Sequence, residues 1–90
     1  MAKTQAWYVY LLRCDDKTLY TGITTNISRR MKQHNTGRGA KYTRARSPVI
    51  LVSLYVLSNR SEASQLEYKI KSMTKKEKEN WVKQYPLFQA

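Results

Sequence analysis

The 90 residues hold one cysteine, one histidine, three glycines and two prolines. Cys14 has no partner for an internal disulfide. With only His34 beside it, a four-ligand zinc ribbon or finger is excluded. The lack of disulfides fits a reducing compartment. The apolar run from Val49 to Leu57 is far shorter than the roughly 20 residues a bilayer-spanning helix needs. Met1 to Ala6 carries no long apolar stretch of the kind a targeting segment uses. The expectation is a cytoplasmic chain that makes no membrane contact. Acid is the other scarcity: six Asp and Glu stand against 17 Lys and Arg, for a formal net charge of +11. From Lys17 to Arg60 there is no acidic residue at all, while nine cations fall there.

That one-signed stretch points to a polyanion. If six phosphates were contacted, log affinity would fall with log salt at a slope of roughly −5. Hydrophobic residues make up 41% of the chain, enough for one core. The length suits a single domain, 1–90, with a core over about 7–83.

The pattern along the chain predicts β-β-α-β-α-α. Trp7 to Cys14 is apolar on both alternating faces, as in a strand covered on two sides. Asp15-Asp16-Lys17 makes a polar turn into a second strand, Thr18 to Ile23, so the two form an antiparallel hairpin. Gly22 marks a bulge or a close backbone approach there. A helix follows over Ile27 to Asn35, capped by Asn26 or Thr25, with Ile27 and Met31 facing the core. Gly37 is placed to take the left-handed position past its end. Gly37 to Pro48 is a basic loop with a short helical turn near Ala40 to Arg44. Val49 to Leu57 is a third strand. Ser61 caps a helix from about Glu62 to Ser72 with apolar positions Ala63, Leu66, Ile70 and Met73. Thr74 and Glu77 form a capping box that opens a last helix burying Trp81, Val82 and Tyr85. The expected class is α+β, a three-stranded antiparallel sheet flanked by helices.

Six residues stand out together: Tyr10, Tyr20, Gly22, Arg30, His34 and Glu67. Tyr8-Val9-Tyr10 and Tyr20-Thr21-Gly22 resemble the paired tripeptides of the GIY-YIG nucleases, although Tyr8 and Thr21 depart from the family's letters. Arg30, ten residues after Tyr20, and His34, four further on, match that family's helix. Glu67 in SEASQLEYKIK matches its metal-binding glutamate. The resemblance covers about residues 7 to 83 and is closest to small stand-alone bacterial members. It implies a GIY-YIG-like fold, an endonuclease activity, and Tyr10, Tyr20, Arg30, His34 and Glu67 as the catalytic set. It also implies a divalent metal, Mg²⁺ or Mn²⁺, at Glu67.

Elementary chemistry agrees with those roles. One carboxylate with waters and a substrate phosphate is an ordinary shell for Mg²⁺, which acts as a Lewis acid on the leaving oxygen. Arg30 can clasp the scissile phosphate through two hydrogen bonds. The resemblance favours Tyr10 as general base, but at a pKa of about 10 only some one in a thousand phenols is ionised at pH 7. His34 is the more natural base at neutral pH, acting directly or by taking a proton from a tyrosine. The sequence leaves these routes open. Around them, Arg29, Lys32, Arg38, Lys41, Tyr42, Arg44 and Arg46 are the expected nucleic-acid contacts, with Tyr42 stacking on a base. Lys69, Lys71, Lys75, Lys76 and Lys78 read as a solvated helix surface. The partner expected is DNA, with RNA open, recognised by structure rather than sequence, and a protein partner is compatible with so small a domain. The rival expectation is a nucleic-acid-binding module of the same fold that does not cut.

Overall fold

A computed structural model describes residues 5–87; the ends of the expected 1–90 domain, residues 1–4 and 88–90, lie outside the described residues. The chain forms an antiparallel sheet in the order β2-β1-β3, from β1 (Trp7–Arg13), β2 (Leu19–Thr24) and β3 (Ile50–Leu57). The two-sided apolarity of β1 has its cause here, because β1 is the central strand and both of its faces are covered. On one face Val9 and Leu11 pack with Ala63 and Ile70. On the other Tyr10, Leu12 and Cys14 pack with Val49. Each fully buried aliphatic side chain contributes about 1.5–3 kcal/mol of transfer free energy.

Pairing puts Tyr10 directly opposite Gly22 on β2 and Leu54 on β3. The sheet's one irregularity lies between β1 and β3 at Leu11/Leu12, not at Gly22. Of the two roles open to Gly22, close approach is the one observed. A Cβ there would overlap the Tyr10 hydroxyl and stand 2.6 Å from its Cζ.

Helix α1 (Ile27–Asn35) is capped by Asn26, whose side chain accepts from the Arg29 N–H. Gly37 beyond it has φ 79°, the left-handed position expected. Ile27 and Met31 pack on the Tyr10 side of the sheet. Helix α2 (Lys41–Arg44) is the single turn inside the basic loop. Helices α3 (Arg60–Lys71) and α4 (Lys75–Gln84) cover the opposite face, through Ala63, Leu66, Ile70, Trp81 and Val82.

Two expectations need correction. Asn59, not Ser61, caps α3: its Oδ1 accepts from the Glu62 N–H at 2.9 Å, and the helix begins at Arg60. Ser58, Asn59 and Ser61 are all cap-type residues, and the carboxylate of Glu62 accepts from the first two, which fixes the frame. On α4 the capping box forms as expected, but Trp81, Val82 and Tyr85 are half-buried rather than buried. Trp81 and Tyr85 share an aromatic cluster at the edge strand, with Tyr55 5.3 Å from Tyr85 and 5.9 Å from Trp81.

Candidate active site

Tyr10 lies on the α1 side of β1 because strand side chains alternate, and Val9 and Leu11 claim the other side. Leu12 pairs with Tyr20, so both tyrosines share one face, their ring centroids 6.4 Å apart. On α1, Arg30 and His34 are one turn apart and point at this pair. The Tyr10 hydroxyl is 2.9 Å from His34 Nε2, and Arg30 Nε donates to the same hydroxyl at 3.3 Å. His34 is wholly buried and Tyr10 only 1% exposed, while Tyr20 is half-buried.

The hydrogen-bond partners decide the state of His34. Thr43 on α2 donates its hydroxyl hydrogen to the Ala40 carbonyl at 2.9 Å, and the same oxygen lies 2.8 Å from His34 Nδ1. A hydroxyl has one hydrogen to give, so Nδ1 must donate to Thr43. A neutral ring then presents a lone pair at Nε2, and Tyr10 donates to it. The result is one directed line: Arg30 to Tyr10, Tyr10 to His34, His34 to Thr43, Thr43 to the Ala40 carbonyl.

Burial enforces the neutral forms. It holds the Tyr10 phenol above its ordinary value of 10, against the opposing hydrogen bond from Arg30. It pushes His34 down to about 4, helped by the charge of Arg30. Burial also works against the Arg30 charge, but the hydrogen bond to Tyr10 and the nearness of both phenols outweigh it and raise the guanidinium's pKa. Moving the proton from Tyr10 to His34 is therefore uphill in the free protein, because burial raises the phenol and lowers the imidazole.

Two glycines clear the space for this pair. Gly22 lets the Tyr10 ring lie against β2. At Gly39 a Cβ would overlap the His34 ring and approach its Cα to 2.8 Å. Gly39 reads as a flexible loop residue in the sequence, yet its role is clearance. Thr43 also escapes sequence reasoning: a buried threonine in an otherwise basic loop leaves no periodic signal.

Glu67 arrives from the other side. Helix α3 packs chiefly against β2 and β1, and the Glu67 carboxylate is near enough to Tyr10 to help raise its pKa. It pairs with Lys71 at 3.2 Å, one turn along α3. Among the described residues no cluster of three or more His, Cys, Asp or Glu could hold a metal. A lone carboxylate does not fit zinc, but it fits a hard ion that keeps waters and substrate oxygens in its shell. Cys14 is buried and its thiol pKa is pushed up by burial, so it stays a thiol.

The expected nucleic-acid contacts divide. Arg29, Lys32, Arg38, Lys41 and Arg44 are exposed. Arg46 is half-buried and engaged: it bonds Asp16 at 3.0 Å and sits 3.8 Å from the Tyr42 ring centroid. Tyr42 is occupied as well, its ring 6.0 Å from Tyr20 and its hydroxyl donating to Thr18. The tyrosine expected to stack on a base instead links the loop to Tyr20.

Residues 6–80 match the family model described as the GIY-YIG catalytic domain. The chain is 55% identical over 67 residues to a UPF0213 protein of Nitratidesulfovibrio vulgaris, covering 74% of this chain and 61% of that protein's length. A UPF0213 protein of Desulfotalea psychrophila is 53% identical, with 87% of this chain and 72% of the relative covered. Among solved structures, the solution NMR structure of a UPF0213 protein from Bacillus halodurans is similar at TM-score 0.58 and 44% identity, covering 87% of this chain and 83% of its own. A solution NMR structure of a protein from E. faecalis is similar at TM-score 0.63 and 41% identity, covering 93% and 90%.

Proposed function

The chain belongs to the GIY-YIG catalytic-domain family, a nuclease superfamily, and from that premise we propose that it hydrolyses phosphodiester bonds in DNA with a divalent cation held at Glu67. The observation that carries this reading is the directed line from Arg30 through Tyr10 and His34 to Thr43. Arg30 meets the phosphate: its Nε is used on Tyr10 and one Nη donates to Gln33, which leaves the guanidinium further donors to offer. Water attacks phosphorus and gives its proton to the Tyr10 oxygen as the phenol's own proton passes to His34 Nε2. The bond to the leaving oxygen breaks and that oxygen takes up a proton from solvent, while the imidazolium returns its proton through the Tyr10 oxygen to water, which closes the cycle. A cation at Glu67 would supply Lewis-acid neutralisation of the phosphoryl and leaving oxygens. The accepting nitrogen of His34 is taken by the Tyr10 hydroxyl, so His34 acts through Tyr10 rather than on water itself.

Burial keeps the resting site neutral, and its hold has to weaken when phosphate and cation arrive. Tyr20, half-buried at the mouth, orients the attacking water. The exposed cations around the site suit phosphates rather than base edges, and phosphate contacts carry no sequence information. That supports recognition of structure rather than sequence.

The Glu67–Lys71 pair favours one alternative: a binding module whose carboxylate serves only as an ion-pair partner. A cleavage panel of labelled duplex, flap, branched and single-stranded DNA with Mg²⁺ or Mn²⁺ separates the two. Glu67→Ala should lower cleavage by about three orders of magnitude, the range of one electrostatic stabiliser, and leave binding within a few-fold. Wild-type protein that binds but never nicks would decide for the binding module.

A further inference from the structure

Beyond the phenol cluster the surface has two hollows, and Tyr42 borders both. One is a wide, open concavity of about 770 Å³ along the basic loop, lined by Lys41, Tyr42, Arg44 and Arg46. The other, of about 210 Å³, lies where the β1–β2 turn meets α4, lined by Thr18, Leu19, Tyr42, Lys75 and Lys78. The second is smaller than the 300–1,000 Å³ usual for a metabolite site, but it carries two ammonium groups and two hydroxyls.

Among the described residues no acidic residue lines it. The acids on α4 are committed elsewhere: Glu79 makes two 2.6 Å bonds to Arg13, and Glu77 closes the capping box with Thr74. Lys75 lies near enough to Glu79 to help hold its pKa down, but among the described residues no ion pair includes Lys75 or Lys78. Of the two acids on the adjoining turn, Asp16 is bound to Arg46 and Thr18, and Asp15 does not line the cleft. The Arg13–Glu79 pair also fixes α4 to β1, so the lysines are held in place beside Tyr42. Tyr42 in turn sits 6.0 Å from Tyr20, at the mouth of the phenol cluster.

We infer that this cleft binds the phosphodiester backbone of the substrate strand next to the cut, with Lys75 and Lys78 as its phosphate contacts. The inference rests on the nucleic-acid reading of the Tyr10 site and deepens it. The track would run from Arg30 across Tyr20 and Tyr42 to α4, so the lysines are divided: Lys75 and Lys78 on α4 face the strand, while Lys76 on α4 and Lys69 on α3 face solvent.

The test is salt-dependent binding of labelled single-stranded DNA and RNA oligonucleotides in EDTA, so that nothing is cut. It compares wild type, Lys75→Gln/Lys78→Gln, and a control, Lys69→Gln/Lys76→Gln, that removes equal charge outside the cleft. All four side chains are exposed or half-exposed, and melting curves check that the variants fold. Losing two phosphate contacts should flatten the slope of log affinity against log salt by about 1.4 for a single strand, with little change in the control. A flattening confined to DNA or to RNA names the strand the cleft takes. Equal slopes for wild type and the cleft variant overturn the inference, and so does equal flattening in both variants, which is a net-charge effect. Wild type that binds neither polymer overturns the cleft together with the reading beneath it. Wild type that binds through the cleft yet never nicks DNA with Mg²⁺ leaves the cleft standing and removes only the catalysis.

Discussion

The two faces of the central strand are built from alternate residues of one seven-residue segment, yet they do different work. On the α3 and α4 face, Val9 and Leu11 meet Ala63 and Ile70, all fully buried, in an aliphatic cluster. On the α1 and α2 face, Tyr10 occupies the equivalent central position and its neighbours are His34, Thr43 and Arg30. The fully buried titratable groups, Tyr10, His34 and Cys14, all lie on this second side. A residue step of one along β1 thus separates a face that supplies stability from a face that stores polar groups at a cost. Burying a hydroxyl or an imidazole without partners would be expensive. Here each finds its partner, and the chain of partners ends on a backbone carbonyl.

If that division holds, substitutions on the two faces should separate cleanly. The largest effect expected is Tyr10→Phe. It keeps the ring that fills the space over Gly22 and removes only the hydroxyl. Cleavage should fall by about 10²- to 10⁴-fold, the range for a lost proton-transfer group. Ile70→Ala should do the reverse. It should cost about 2–5 kcal/mol in stability and leave turnover of the folded fraction nearly unchanged. Urea titration and single-turnover cleavage on both variants check this. A Tyr10→Phe protein that cuts like wild type would dissolve the distinction.

A smaller effect concerns pH. His34 has a folded pKa of about 4 against 6.5 ordinarily. Between those values the unfolded chain binds more protons, so stability falls as pH drops through the window and is fully present above about 6.5. The loss from this residue between pH 7 and 4 should be about 3 kcal/mol. Urea unfolding of wild type and His34→Gln at both pH values isolates it, since the carboxylates are common to the two proteins. Identical pH dependence would mean the ring is not held neutral by burial.

Much of this was legible in the residues. The unbroken apolarity of WYVYLLR marks β1 as central, and the Thr74–Glu77 spacing marks the start of α4. Tyr10, Tyr20, Arg30 and His34 converge as their positions on a hairpin and one helix face require. What escaped is whatever depends on contact between distant segments. Gly39 and Thr43 lie in a loop with no periodicity, and their function exists only because the loop folds back over His34. Tyr42 and Arg46 look available in sequence but are engaged, Arg46 with Asp16 and the Tyr42 ring, and the Tyr42 hydroxyl with Thr18. The complete burial of His34 is hidden as well, because it depends on α2 and its Thr43 closing over that face of α1. Glu67 joins the group from the opposite face of the sheet, through α3, a placement that spacing alone does not reveal.

The central claim is that the polar face keeps its exchangeable proton on the Tyr10 phenol and an open lone pair on His34 Nε2. Nitrogen-15 NMR of the imidazole, followed from pH 8 down to the acid limit of folding, measures this directly. The account predicts a neutral ring at pH 7 with the hydrogen on Nδ1, titrating near pH 4. A ring protonated at pH 7, or one carrying its hydrogen on Nε2, would contradict it.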